Sequence, residues 1–195
     1  MPQAWENQVR EKKGWNRFLK RLTFSKYFMR LYEIVQMDFQ QWFGSSQVTK
    51  NGQPLLVYRG GRNGRIPMHG RPIFFSEQIS FARDFGEHII SAYLKAEKLY
   101  DPEKLTEIEI RKIESAIASK EIITLGNNPR QMLDSLTGID GGVDWNMIES
   151  RSFQAWLRKN GYDGFVVYEP DSNDNYCRNF AVYQSDQVWL VNGKP

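Results

Sequence analysis

The chain has 195 residues, a net charge of +3 and a hydrophobic fraction of 41%, which is typical of one globular domain with or without an extension. Its single cysteine, Cys177, excludes an internal disulfide and a cysteine-based zinc site, and it favours a reducing compartment. No apolar run reaches the roughly 20 residues that span a bilayer and the N-terminus lacks a signal-peptide pattern, so we expect a cytoplasmic protein.

The first 38 residues form a basic segment. Eight basic and three acidic residues precede Gln36, and they alternate with apolar side chains. This pattern predicts one or two amphipathic helices in an extension over residues 1–38. Such helices could bind nucleic acid, an anionic membrane or an acidic partner, or they could simply present a solvated face while they pack on the main domain.

The first half of the main domain is predicted to be mostly extended. The Asn51-Gly52 turn predicts a hairpin, and the next strand leads into Arg59. A glycine-rich loop follows at residues 60–70. The apolar run Ile73–Phe75 then predicts a strand, and Ser76 is suited to be the N-cap of a helix of about three turns.

The second half mixes strands and helices without regular alternation. A strand is expected at 88–95, a helix begins at Asp101-Pro102, and a second helix runs from Asn128-Pro129 to Gly138. The remaining predicted elements are a helix at 152–161, a strand at 164–169, a polar loop at 170–178 and strands at 179–183 and 188–191. This order predicts an α+β fold, not a doubly wound sheet.

Three blocks of the sequence resemble the ADP-ribosyltransferase superfamily. They are Pro54-Leu-Leu-Val-Tyr-Arg-Gly60, Phe74-Phe75 before Ser76, and Asn179-Phe-Ala-Val-Tyr-Gln-Ser-Asp-Gln-Val188. The chain looks most like the domains of polyvalent phage proteins and other mobile elements, and its last block is similar to a catalytic strand of poly(ADP-ribose) polymerases. The resemblance implies a domain over residues 39–195, with a split, antiparallel-rich sheet, flanking helices and NAD in a cleft.

The resemblance also implies roles for individual residues. Arg59 would contact the dinucleotide, and Gly60, with Gly61 beside it, would bring bare backbone close to the nicotinamide amide. These residue types suit such roles, because arginine forks its donors toward phosphate oxygens and glycine lets the backbone approach a planar group. The aromatic platform and the polar residue of the second block would be Phe74, Phe75 and Ser76. For Ser76, a plain helix cap is an equally good interpretation.

The third block departs from the family pattern, because Asn179 stands where members carry a catalytic glutamate. Cleavage of an N-glycosidic bond builds positive charge on the ribose, and a carboxylate about 4 Å away stabilises that charge by roughly 4 kcal/mol, about a thousandfold in rate. Three readings follow: slow turnover, a substitute carboxylate, or binding without reaction. The candidate substitutes are Glu169, Asp171 and Asp174, of which Glu169 is preferred.

Two functions therefore follow from the sequence. The first is an NAD-dependent mono-ADP-ribosyltransferase that modifies a macromolecule, more readily protein than nucleic acid, as a phage or mobile-element effector acting on a factor in the host cytoplasm. The alternative is an inactive or attenuated relative that engages protein or nucleic acid through its basic N-terminal helices. No metal is expected, because His69 and His88 lack partners at ligand spacing. Cys177, placed in a polar loop beside Arg178, is interpreted as incidental.

Overall fold

The computed structural model describes residues 38–66, 71–123, 128–137, 145–170 and 176–191. The chain divides into two compact units, Met1–Gly44 and Ser45–Pro195. In the first, residues 38–43 are helical and are called α1. The predicted basic helices fall on residues 1–37, outside the described residues, so the extension at 1–38 stays a prediction.

The second unit contains a seven-stranded sheet and a short hairpin. The strands are β1 Thr49–Lys50, β2 Gln53–Pro54, β3 Val57–Gly61, β4 Ile73–Ser76, β5 His88–Leu94, β6 Leu99–Tyr100, β7 Gly164–Pro170, β8 Tyr176–Val182 and β9 Val188–Leu190. The sheet order is β6-β7-β8-β4-β3-β5-β9, and every neighbouring pair is antiparallel except β6 with β7. The α+β prediction is therefore confirmed, with a mostly antiparallel sheet.

The hairpin between β1 and β2 shows how local sequence sets a turn. Thr49 pairs with Pro54 and Lys50 with Gln53. Between them, Asn51 and Gly52 have φ angles of 53° and 75°, which is the geometry that an Asn-Gly turn supplies. The hairpin prediction is confirmed.

The described part of the second unit contains five further helices: α2 Ile79–Arg83, α3 Glu107–Ala118, α4 Pro129–Thr137, α5 Trp145–Ile148 and α6 Arg151–Lys159. The helix predicted to begin at Asp101-Pro102 is two elements, and that prediction is wrong. Asp101 caps a short 3-10 turn, Pro102–Lys104, and Leu105 is extended. Thr106 then starts α3 with a capping box to Glu109, which satisfies two backbone N–H groups that a helix start leaves free. None of the described helices is long and apolar enough to cross a membrane.

The two faces of the sheet are buried in different cores. Phe165, Val167 and Ala181 pack on one face with the apolar sides of α3, α4, α5 and α6. Val166, Phe180 and Val182 point the other way, into a core that includes Val48 and Leu55 beside the hairpin. The alternation along β7 and β8 thus follows the two-residue period of a strand.

The sheet opens between β3 and β4. Five residues of β3 pair with β5, and four residues of β4 pair with β8. Between β3 and β4, only Tyr58 and Ser76 are in register. The backbone edge of β3 after Tyr58 is therefore left without a β4 partner, and the candidate site lies at this opening.

Candidate functional site

A cleft of about 600 Å³ lies where β3 and β4 separate. It is walled by α2, by α5 and by the neighbouring ends of β7 and β8. Eight of the residues that the sequence suggested for a site line it, namely Arg59, Gly60, Gly61, Phe74, Phe75, Ser76, Glu169 and Asn179.

The strand register explains why distant blocks meet. Ser76 of β4 lies opposite Asn179 of β8, and Asn179 lies opposite Val167 of β7. Residues that face each other in antiparallel strands share a side of the sheet, and so do residues two apart on one strand. Phe74, Ser76, Asn179 and Glu169 therefore project from the same face.

Glu169 is the central carboxylate of the cleft. Its Oε2 accepts a hydrogen bond from Asn179 Nδ2 at 2.5 Å, and its Oε1 accepts one from Trp145 Nε1 at 2.9 Å. Burial of the half-buried carboxyl raises its pKa above the usual range, while these two donors act in the opposite direction. The result is a protein-held carboxylate next to the position where the resemblance expected one.

Asn179 and Cys177 lie in β8, and both are buried. The prediction that places Cys177 in a polar loop is therefore wrong, because β8 already begins at Tyr176. The Cys177 Sγ lies 3.8 Å from Ser76 Oγ and 3.9 Å from Asn179 Oδ1. Arg178 points to the opposite side and pairs with Glu77 at 3.0 Å. The buried thiol therefore lies beside two residues that line the cleft.

Ser76 is the last residue of β4 and not a helix cap. Gln78 is the N-cap of α2, which has only five residues, so the predicted helix of about three turns is wrong. The Ser76 hydroxyl instead accepts a hydrogen bond from the backbone N–H of Gln78 at 3.1 Å. This bond turns the chain from the strand into α2.

Arg59 carries the positive charge of the cleft. Its Nη1 donates to the backbone carbonyl of Phe74 at 3.0 Å, across the gap between β3 and β4. Burial lowers the pKa of this half-buried guanidinium, which nevertheless stays charged at neutral pH. Within the described part of the chain Arg59 forms no ion pair. A half-buried charge without a protein counterion is an attractive partner for a phosphate group.

Gly60, directly after Arg59, and Gly86 have a packing role that the sequence did not reveal. A Cβ at Gly60 would lie 1.8 Å from the carbonyl oxygen of Ala82 in α2. A Cβ at Gly86, where φ is +148°, would lie 2.5 Å from the Gly61 carbonyl oxygen. Only glycine at Gly60 and Gly86 lets α2 and the turn after it rest directly on β3.

The aromatic rings of the cleft differ from those expected. Phe74 is available on the cleft side and packs edge-on against Trp145 at 5.5 Å. The ring of Phe75 is 1% exposed and belongs to the opposite core, because adjacent residues of a strand face opposite ways. The prediction that Phe75 offers a ring to a ligand is therefore not supported.

Several lining residues were not predicted from the sequence. Phe81 and Phe85 of the α2 region lie 5.4 Å apart, and Phe85 is 64% exposed although its ring is large and apolar. Their four-residue spacing could have indicated a shared helical face. Trp145 and Glu149 reach the cleft from α5, and no motif or spacing in the sequence marks them.

Of the remaining candidates, His88 lies within the described residues. His88 begins β5 and is exposed, and the described residues contain no group of three or more His, Cys, Asp or Glu side chains that could hold a metal ion. His69, Asp171 and Asp174 lie outside the described residues.

Comparisons with known proteins do not assign the chain to a family. No protein-family model matches the chain, and no curated protein matches it significantly. Among solved structures, one described as "Crystal structure of an anti-CRISPR protein" is similar over 72% of this chain and 97% of its own, with 11% sequence identity and a TM-score of 0.38. A TM-score at this level does not define a shared fold.

Proposed function

We propose that the chain is an NAD-dependent mono-ADP-ribosyltransferase whose active site is the cleft between β3 and β4. The observation that carries this proposal is the convergence of a guanidinium, several aromatic rings and a half-buried carboxylate on one cleft of about 600 Å³. A nicotinamide dinucleotide contains flat rings, phosphates and a ribose that becomes cationic. The aromatic rings, the guanidinium and the carboxylate of the cleft could bind these parts in that order.

Binding is proposed to rest on Arg59 and on the rings around it. Arg59 would pair with a phosphate of the dinucleotide, since the described residues give it no carboxylate partner. The exposed Phe85, supported by Phe81, offers a face on which a nicotinamide ring can stack. The unpaired edge of β3 at Gly60 and Gly61 offers backbone groups to the amide of that ring.

Glu169 is proposed to take the role of the absent family glutamate. The reaction breaks the bond between ribose C1′ and the nicotinamide nitrogen, and the electron pair leaves with neutral nicotinamide. The ribose is left as an oxocarbenium-like cation, which an ionised carboxylate stabilises. A lone pair of the acceptor then forms the new bond to C1′, and the acceptor proton passes to solvent.

Asn179 is proposed to orient this carboxylate. Its amide donates to Glu169 Oε2 at 2.5 Å, so the amide and the carboxylate act as one unit across two neighbouring strands. An amide cannot carry the charge itself, but it can hold the group that does.

The test is incubation of the full chain with NAD labelled in its adenylate part, together with an extract of host cells. We expect nicotinamide release and transfer of the label to a macromolecule. Glu169→Gln should lower turnover about a thousandfold, the value of one charge pair in such a site. Exposed Glu114→Gln on α3 is the matched control and should be fully active.

One observation favours a second candidate, a module that binds the dinucleotide without cleaving it. Both oxygens of Glu169 already accept hydrogen bonds from the protein. Calorimetric binding that is lost in Arg59→Ala, without nicotinamide release by the wild type, would favour this module. Failure to bind NAD at all would reject both candidates.

A further inference from the structure

The indole of Trp145 contacts two parts of the cleft at once. Its Nε1–H donates to Glu169 Oε1 at 2.9 Å. Its ring meets Phe74 in an edge-to-face contact at 5.5 Å. Trp145 begins α5, an element of the helical layer that none of the sequence motifs includes.

We propose that Trp145 is the positioning residue of Glu169, and that its indole N–H holds the carboxylate in the orientation that serves the ribose. This inference rests on the function proposed above. In this role Trp145 does not contact the reacting atoms. It acts through Glu169, whose carboxylate it orients.

The chemistry of indole makes this bond directional. An indole N–H can only donate, so the oxygen that faces it must act as an acceptor. An amide such as Asn179 could turn and present its oxygen instead, whereas Trp145 could not. With one donor on each oxygen, the carboxylate plane is set from two sides, and each oxygen keeps a lone pair for a ligand.

The same bond favours the ionised carboxylate. Burial raises the pKa of Glu169, and the donors Asn179 and Trp145 counteract that rise. The other charged residues that line the cleft are Arg59 of β3 and Glu149, directly after α5. β8 presents the neutral Asn179 and the buried Cys177 thiol, which is paired opposite Glu169. Removal of the indole N–H should therefore raise the pKa of Glu169 and shift its loss of charge to higher pH.

The first readout does not require activity. In the ¹⁵N-labelled full chain, six tryptophan indole resonances are expected, and Trp145→Phe identifies one of them by its loss. We expect this resonance to move with pH as Glu169 titrates and to stop moving in Glu169→Gln. A resonance that does not titrate, or that titrates unchanged in Glu169→Gln, would overturn the proposal.

The second readout is the pH profile of nicotinamide release. Trp145→Phe keeps a ring against Phe74 but has no donor. We expect its acid limb to move to higher pH and kcat at acid pH to fall about 10- to 100-fold, as for a lost hydrogen bond to a charged group, with little change in KM.

The control is Trp156→Phe. Trp156 is buried in the helical layer and stacks on Phe153, but it does not line the cleft. This variant should lower the unfolding temperature without moving the acid limb. If the acid limb of Trp145→Phe stays where it is in the wild type, or moves equally in Trp156→Phe, the positioning role is rejected. If the Trp145 indole resonance titrates with Glu169 but the wild type shows no turnover, the proposed function is rejected and only the hydrogen bond between Trp145 and Glu169 is supported.

Discussion

Glu169 lies where ionisation of a carboxyl group costs free energy. It is half-buried, and burial disfavours its charged form. Two neutral donors, Asn179 and Trp145, offset part of that cost, and no cation within the described residues forms an ion pair with it. Charged groups that lower the stability of the fold are common in active sites, where the charge acts on a bound ligand.

Removal of the Glu169 charge should leave the fold at least as stable at neutral pH. A carboxyl with a raised native pKa binds its proton more tightly in the folded chain, so wild-type stability falls as pH rises from about 4.5, the ordinary value, to the native pKa. We expect Glu169→Gln to lack this loss, as measured by urea unfolding between pH 4 and 8. A variant that is less stable than the wild type across that whole range would argue for a structural role.

At the scale of elements, the site depends on how α2 rests on β3. The chain leaves β4 at Ser76 and enters a helix of only five residues, which is too short to be stable by its own hydrogen bonds. Its position therefore comes from packing, and Gly60 and Gly86 are where that packing is closest. Phe81 and Phe85 are carried to the rim of the cleft by this contact.

Alanine should destabilise the protein at Gly60 but not at the neighbouring Gly61. Gly60→Ala places a Cβ 1.8 Å from a backbone oxygen of α2, and we expect a loss of about 1–3 kcal/mol in the free energy of unfolding together with weaker NAD binding. Gly61→Ala meets nothing within 4 Å and should be neutral in stability. Thermal unfolding of both variants measures this, and equal effects would show that α2 does not rest on Gly60.

For the whole molecule, the described residues that line the cleft all belong to one compact unit. The lining residues run from Tyr58 to Asn179, inside the unit Ser45–Pro195. The basic residues of segment 1–38 precede all of these residues in the sequence. The surplus positive charge of the chain thus belongs to a part that is separate in sequence from the proposed chemistry.

A chain of residues 39–195 should therefore keep the dinucleotide site. We expect it to bind NAD and release nicotinamide like the full chain, measured under identical conditions. If the basic segment binds nucleic acid, only the full chain should show an affinity that falls steeply between 50 and 200 mM salt. Loss of NAD binding in a shortened chain that still unfolds cooperatively would place part of the site in the first 38 residues.

Local signals in the sequence predicted most elements of the second unit. The Asn51-Gly52 turn, the strands around Arg59 and Phe74, and the late strands were recognisable, because turn geometry and alternation act over a few residues. The predicted helix boundaries were wrong where two residues suited to be an N-cap lie close together in the sequence. Asp101 caps a 3-10 turn and Thr106 caps α3, and Ser76 ends a strand although a serine there also suits a helix start.

The residue types of the site and the α+β class could be predicted from the amino-acid sequence, since charge, ring and glycine are properties of single positions and strand patterns are local. Which of these groups meet depends on the fold of the whole chain. The register of β4, β7 and β8 puts Glu169 beside Asn179, the packing of α5 adds Trp145, and strand alternation turns Phe75 away. Contacts between residues far apart in the chain depend on pairing and packing free energies that no short stretch of sequence contains.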